Sequence, residues 1–136
     1  MVKHILALEK DLFFSVKMRD TLRHHEMEVA IARTLSGFLQ HLQAPAAPDL
    51  VIVNIATPGV DWEAAIRQAR ASGLPVLAFG SHMDLEARAK ALQAGAQRVV
   101  ANSKFTTDMP ALVQRMLNQP AETPADDPDD RDVHSS

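Results

Sequence analysis

The chain has 136 residues, of which 46% are hydrophobic and none is cysteine. This length fits one domain with a single core, and the lack of cysteine excludes disulfides, thiol nucleophiles and cysteine-based zinc sites. The net charge of −3 is uneven, because residues 119–136 carry six acidic side chains and one arginine, which leaves +2 for residues 1–118. A nearly neutral body without a basic stripe gives no support for nucleic-acid binding.

The first residues run directly into a strand-like segment. No small-residue cleavage site follows Met1, so we expect no signal peptide. The longest apolar runs are too short to span a bilayer. The sequence therefore predicts a cytoplasmic protein without a membrane anchor.

Short β-like runs alternate with helical periods along the chain. The predicted strands are Lys3–Leu8, Met27–Ile31, Leu50–Asn54, Val76–Phe79 and Arg98–Ala101. The last three are almost continuously apolar, as expected for parallel strands that are covered on both faces. This alternation predicts βαβ units and a parallel sheet.

Capping residues and hydrophobic periods predict five helices between and after these strands. The first is capped by Asp11, the second covers Thr34–Leu42, the third is capped by Asp61, the fourth covers Asp84–Gln93, and the fifth begins near Thr107 with Pro110 in its first turn. The chain then becomes acidic and proline-rich without large apolar residues, a composition typical of disorder. We expect a domain over residues 1–118 and a disordered acidic tail over residues 119–136.

Two motifs give the sequence a family resemblance. Asn54-Ile55-Ala56-Thr57-Pro58-Gly59-Val60-Asp61 follows the third strand, and Ala94-Gly95-Ala96 precedes the fifth. With this spacing, the chain resembles the response-regulator receiver (CheY-like) superfamily over residues 3–118. The resemblance implies a (βα)5 flavodoxin-like sandwich, with five parallel strands in the order 2-1-3-4-5.

The resemblance also implies positions for the phosphoryl chemistry of receivers. In that family, an acceptor aspartate and an acidic pair hold Mg²⁺, a hydroxyl and a lysine contact the phosphoryl group, and an aromatic residue reports the switch. At these positions the chain has Asn54 for the acceptor, Glu9 and Lys10 for the acidic pair, Gly80 for the hydroxyl with Ser81 one step later, Asn102 for the lysine (or Lys104 after a two-residue shift), and Val99 for the aromatic.

These replacements predict a pseudo-receiver. The neutral amide of Asn54 cannot form an acyl phosphate, and it either bonds Glu9 or Lys10 or satisfies nearby loop amides. The ammonium of Lys10 would repel Mg²⁺ and could pair with Glu9, whereas Asp11 could restore the acidic pair only by giving up its cap. We expect lost or weak Mg²⁺ binding, no other cofactor and no enzymatic activity.

The leading functional prediction is a stand-alone atypical response regulator of a bacterial signalling pathway. It would act through phosphorylation-independent protein contacts, with a histidine kinase or a downstream regulator as partner, or as a homodimer. By resemblance, the contact face is the fourth helix, fifth strand and fifth helix, around Asp84–Gln93 and Phe105–Leu117. A variant of this hypothesis places a phosphate on Ser81 or Thr57 instead.

A second hypothesis is a small-ligand sensor. The crevice at the carboxyl ends of the strands would be lined by neutral hydrogen-bonding residues, namely Asn54, Thr57, Gly80, Ser81, Asn102 and Ser103. That composition suits a nucleotide or another anion better than it suits Mg²⁺.

Overall fold

The structure is a computed structural model that describes residues 2–118, so the predicted disorder of the acidic tail lies outside the described residues. Strands and helices alternate strictly along the chain. They are β1 (Lys3–Leu8), α1 (Leu12–Arg23), β2 (Met27–Ala32), α2 (Leu35–Leu42), β3 (Leu50–Asn54), α3 (Trp62–Ala71), β4 (Val76–Gly80), α4 (Leu85–Ala94), β5 (Arg98–Ala101) and α5 (Asn102–Leu117).

The five strands form one parallel sheet in the order β2-β1-β3-β4-β5. This confirms the predicted doubly wound α/β fold and its strand order. The register pairs Leu8 with Val53, Asn54 with Phe79, and Gly80 with Ala101. Because all strands run the same way, the residues that follow them meet at one edge of the sheet.

Each face of the sheet buries its own hydrophobic layer. On one face, α1 and α5 pack over a layer that includes Ile5, Ile52, Leu77, Phe79 and Val100. On the other face, α2, α3 and α4 pack over a layer that includes Leu6, Val51, Val53, Ala78 and Val99. Alternate residues of a strand therefore enter opposite layers, which explains the continuous apolar runs in the sequence.

Side-chain caps fix where four of the helices begin. Asp11, Thr34, Asp61 and Asp84 each accept a hydrogen bond from the backbone N–H three residues further on. Such a cap satisfies one of the backbone donors that a helix start leaves without a partner. The fifth helix has no side-chain cap and starts directly after β5.

The prediction for the start of α5 is wrong by five residues. The helix begins at Asn102 rather than near Thr107, and it is interrupted at Asp108, whose φ of −115° and ψ of 23° are not helical. Pro110 lacks the N–H that would bond to the carbonyl of Thr106, and its ring crowds that carbonyl. The sequence prediction identified only the helical part beyond this kink.

Candidate functional site

Three polar side chains come together at the carboxyl edge of the sheet. Glu9 follows β1, Asn54 ends β3, and Asn102 follows β5. Together with Asp11, Thr106, Phe14 and Phe79, they line a cavity of about 240 Å³. Of the predicted site residues, only Glu9, Asn54 and Asn102 line this cavity.

The centre of the site is a hydrogen bond between an amide and a buried carboxylate. The Asn54 Nδ2 group lies 2.9 Å from each carboxylate oxygen of Glu9, which is only 2% exposed. The backbone N–H groups of Lys10 and Asp11 also donate to Glu9 Oε2, at 2.9 and 3.3 Å. Neutral donors therefore satisfy a carboxylate that water hardly reaches.

The second half of the Asn54 amide fixes its orientation. Its Oδ1 accepts a hydrogen bond from the backbone N–H of Ala56 at 2.8 Å. A reversed amide would place its oxygen against the Glu9 carboxylate and its NH₂ against the N–H of Ala56, so this network permits one orientation. The structure thus shows both interactions that the sequence left open, one to Glu9 and one to a loop amide.

Among the described residues, the ammonium of Lys10 forms no ion pair with the Glu9 carboxylate. Its Nζ lies 3.5 Å from the carbonyl oxygen of Pro58, and only the backbone of Lys10 contacts Glu9. Arg33 fixes the loop by donating two hydrogen bonds to the Lys10 carbonyl, at 3.1 and 3.3 Å. The ion pair that we considered between Lys10 and Glu9 is therefore not formed in the structure.

Asp11 keeps its capping role. Its Oδ1 accepts from the N–H of Phe14 at 3.1 Å while its side chain lines the cavity. Within residues 2–118, no group of three or more His, Asp or Glu side chains could hold a metal. The donor set does not fit Mg²⁺, because hard cations bind oxygen lone pairs and the Asn54 group that faces Glu9 is an N–H donor.

At the end of β4, an isoleucine fills the space that a hydroxyl side chain would need. A Cβ atom built on Gly80 would lie 2.6 Å from Cγ1 and 3.3 Å from Cδ1 of Ile55. Ile55 is itself held by a hydrogen bond from its N–H to the Phe79 carbonyl at 2.9 Å. The sequence did not reveal this contact, because it depends on how the β3–α3 loop folds over β4.

The hydroxyls near this position are engaged elsewhere. Ser81 is exposed, and its Oγ accepts from the N–H of Met83 at 3.2 Å. Thr57 is buried, and its Oγ1 donates to the Asn54 carbonyl at 2.8 Å. Neither hydroxyl is among the residues that line the cavity.

An arginine from α4 covers the end of β5. Arg88 donates from one terminal nitrogen to the carbonyl of Val99 at 2.7 Å. With Gly80, Ser81 and Val99, it surrounds a separate void of about 10 Å³. The predicted crevice is therefore divided, with Asn54 and Asn102 in one space and Gly80 and Ser81 at another.

The first turn of α5 separates the two candidates for the lysine position. Asn102 lines the cavity, whereas the Lys104 ammonium lies 3.1 Å from the Asp108 carboxylate one turn further on. Lys104 is not among the residues that line the cavity.

Three phenylalanines form one side of the site. The rings of Phe79 and Phe105 are stacked, with centroids 4.2 Å apart and planes 6° apart, and Phe14 is tilted against both. Such contacts stabilise a buried cluster beyond simple area burial. The resemblance implied an aromatic residue on β5, where the chain has Val99, and the sequence did not predict this cluster, whose members come from α1, β4 and α5.

Comparison with known proteins identifies relatives of this fold. The family model of the response regulator receiver domain matches residues 5–115. A candidate response regulator from Chloroflexus aurantiacus J-10-fl has a TM-score of 0.77 at 22% identity, covering 88% of this chain and 100% of that one. A response regulator from Thermotoga maritima has a TM-score of 0.75 at 15% identity, with coverages of 88% and 100%.

A further solved structure is the phosphorylated cyanobacterial phytochrome response regulator RcpA. It has a TM-score of 0.75 at 13% identity and covers 87% of this chain and 96% of that one. Among curated proteins, no sequence matches the chain. No helix within residues 2–118 is long and apolar enough to cross a membrane.

Proposed function

This chain belongs to the response regulator receiver domain family, and we propose that it is a pseudo-receiver, which signals through protein contacts without phosphorylation of residue 54. Receiver domains are signalling modules of two-component systems, and they are not typically enzymes.

The hydrogen bond from Asn54 to Glu9 carries the proposal. In a phosphorylated receiver, a metal ion offsets the charges that meet at this point. Here the Asn54 NH₂ group binds both oxygens of Glu9 at 2.9 Å, so the site is held together without a cation. We propose that this closed arrangement is a fixed state rather than one half of a phosphorylation switch.

The packing beside Gly80 supports the same proposal. A receiver needs a hydroxyl there to contact the phosphoryl group, but Ile55 occupies the space of even the first side-chain carbon. With Asn102 in place of the lysine, the described cavity has no cation that could bind phosphoryl oxygens. Restoring the chemistry would therefore require several coordinated substitutions.

Treatment with acetyl phosphate and Mg²⁺ tests the proposal. We expect the intact mass to show no added species of about 80 Da, the mass of one phosphoryl group. A receiver with an acceptor aspartate, treated in parallel, is the positive control. An acid-labile adduct on this protein would overturn the proposal, and an acid-stable adduct that maps to Ser81 or Thr57 would place the phosphate there.

The small-ligand sensor receives less support from the geometry. The cavity is lined by the carboxylates of Glu9 and Asp11, which repel anions, and the residues proposed for the sensor do not share one space. A thermal-shift screen with nucleotides and flavins tests this alternative. A strong rise of the midpoint with any of these ligands would favour the sensor.

The contact face that we propose is the one formed by α4, β5 and α5, called here the α4 face. Leu85 is 61% exposed, and so in part are Met83, two residues before it, and Leu92, about two turns further along α4. Exposed apolar residues that cluster on one face are typical of protein contact sites. A second copy of the chain or another signalling protein would bind here.

A further inference from the structure

A second apolar surface lies at the start of α1, away from the α4 face. Leu12, Phe13 and Val16 are 59, 91 and 51% exposed. Their neighbour Phe14 packs inward against Phe79 and Phe105, so the helix has an apolar side towards the core and another towards solvent. An almost fully exposed phenylalanine next to two exposed aliphatic residues is typical of a surface that binds another protein segment.

The same helix carries positive charge further along. The helix α1 contains three cationic residues, Lys17, Arg19 and Arg23, and one acidic residue, Asp20. None of the three forms an ion pair within residues 2–118, and the nearby His24 and His25 follow the helix end. The α1 surface, defined here as Leu12, Phe13, Val16, Lys17, Arg19 and Arg23, is therefore apolar at one end and basic at the other.

The last turn of α5, which the acidic tail follows in sequence, lies at the same end of the domain as the basic part of this surface. α5 packs beside α1 on one face of the sheet, and Met116 of α5 and Leu22 of α1 belong to one core layer. Both helices run opposite to the strands, so they end at the same edge. Eighteen residues can span about 60 Å when extended, whereas α1 is about 18 Å long. The tail can therefore reach all of the α1 surface.

We propose that the acidic tail binds the α1 surface of its own chain. The tail has six acidic residues and Pro120, Pro124 and Pro128, and it is long enough to reach an exposed aromatic ring and three cations that form no ion pair within residues 2–118. A single exposed ion pair contributes little, but a tethered segment binds at a high effective concentration. The bound tail covers the α1 surface, so a protein that uses this surface must displace it.

A spin label on the tail tests this contact. The chain has no cysteine, so Ser135→Cys gives a unique attachment site for a nitroxide. We expect the amides of residues 12–17 to lose about half of their NMR peak intensity, because tethering keeps the label close. The amides of α3, on the opposite face of the sheet, should keep theirs. Equal intensities in α1 and α3 would overturn the proposal.

Charge and salt provide the matched controls. Raising the salt to about 1 M shortens the screening length to about 3 Å and should restore the α1 intensities. The double substitution Lys17→Gln and Arg23→Gln should restore them at low salt, whereas Arg67→Gln on α3 should have no effect. Broadening that persists in the Lys17/Arg23 variant would contradict the proposed contact.

A mixed sample separates the chain's own tail from that of a second copy. Spin-labelled protein without isotope is mixed with isotope-labelled protein that carries no spin label. We expect no broadening of α1 in this mixture, since each tail binds its own chain. Broadening of α1 in the mixture would show a contact between copies and would overturn the intramolecular proposal.

Discussion

At the scale of single residues, the site depends on the difference between an amide and a carboxylate. Asn54 donates to Glu9 and accepts from Ala56, and it needs both halves of the amide to do so. An aspartate of the same shape could accept from Ala56 but would present a second negative charge to a buried carboxylate. In the absence of a cation, an asparagine at position 54 therefore attracts the Glu9 carboxylate, whereas an aspartate there would repel it.

Asn54→Asp should lower the free energy of unfolding in metal-free buffer by about 1–3 kcal/mol, because Glu9 loses a donor and gains a like charge. Urea denaturation in the presence of EDTA measures this. The control Asn102→Asp adds the same charge to the cavity at the first residue of α5, where helix geometry favours an acid. If both variants unfold at the same urea concentration as the wild type, the Asn54–Glu9 contact does not stabilise the fold.

The same variant should remain unphosphorylated. Asn54→Asp restores an acceptor oxygen, but Lys10, Gly80 and Asn102 still lack the groups that bind the metal and the phosphoryl oxygens. Intact mass after treatment with acetyl phosphate and Mg²⁺ measures this. Robust labelling of the variant would show that the cavity supports phosphoryl transfer without those groups.

The side chain of Ile55 leaves no room for a side chain at position 80. Gly80→Thr should destabilise the protein by about 1–3 kcal/mol, because its Cβ would overlap Ile55. Ser81→Thr, one residue later on an exposed site, is the matched control and should have little effect. Combining Gly80→Thr with Ile55→Ala should cost less than the sum of the two single changes, by about 0.5–3 kcal/mol in a double-mutant cycle. Strict additivity would show that Ile55 does not block this position.

At the scale of elements, the stability of α4 depends more on the polar contacts that hold it than on buried apolar side chains. Ala91 is the one fully buried residue of this helix, whereas α5 buries five. Two polar contacts position it, the cap from Asp84 to the N–H of Ala87 and the bond from Arg88 to the Val99 carbonyl. A helix with so small an apolar face should be sensitive to the loss of its cap.

Asp84→Ala should lower the free energy of unfolding by about 0.5–2 kcal/mol and should increase amide exchange first within α4. Asp84→Asn keeps an oxygen acceptor, so its free energy of unfolding should fall much less. Hydrogen-exchange rates along residues 85–94 measure the local effect. Faster exchange spread evenly over the whole domain would indicate that α4 is not an independent weak element.

At the scale of the whole molecule, exposed apolar residues mark two separate surfaces. One belongs to the α4 face around Leu85, and the other is the α1 surface around Phe13. The two helices lie on opposite faces of the sheet, so different molecules or segments can occupy them at the same time. If the protein is a pseudo-receiver, as we propose, each surface offers a separate point of control, because a molecule or segment bound there must be displaced before another can bind.

If the α4 face binds a second copy, Leu85→Glu should weaken self-association at least about tenfold, or about 1.4 kcal/mol. Residue 85 is the first of α4, where an acidic side chain favours the helix, so the variant should fold. Leu12→Glu, the first residue of α1, is the matched control and should leave association unchanged. Sedimentation over a range of concentrations measures this, and a wild-type protein that stays monomeric throughout would contradict the homodimer.

The sequence by itself determined the architecture. Strand periodicity and capping aspartates predicted five βα units, and the resemblance to receivers, carried by the two loop motifs, implied the strand order that the sheet has. These signals are local, because a cap or an apolar run acts within a few residues of itself. Even the error at α5 is local, since the proline at 110 marked a kink that the pattern alone could not distinguish from a helix start.

Only the tertiary structure decided what surrounds the site. The Ile55 side chain against Gly80, Arg88 on the Val99 carbonyl, and the contact of Phe14 with Phe79 and Phe105 join residues from different elements. Likewise, the Lys10 ammonium lies 3.5 Å from the carbonyl oxygen of Pro58, which is 48 residues away along the chain. Composition can show which groups a site lacks, but which atoms fill the space depends on how loops and helices pack in three dimensions.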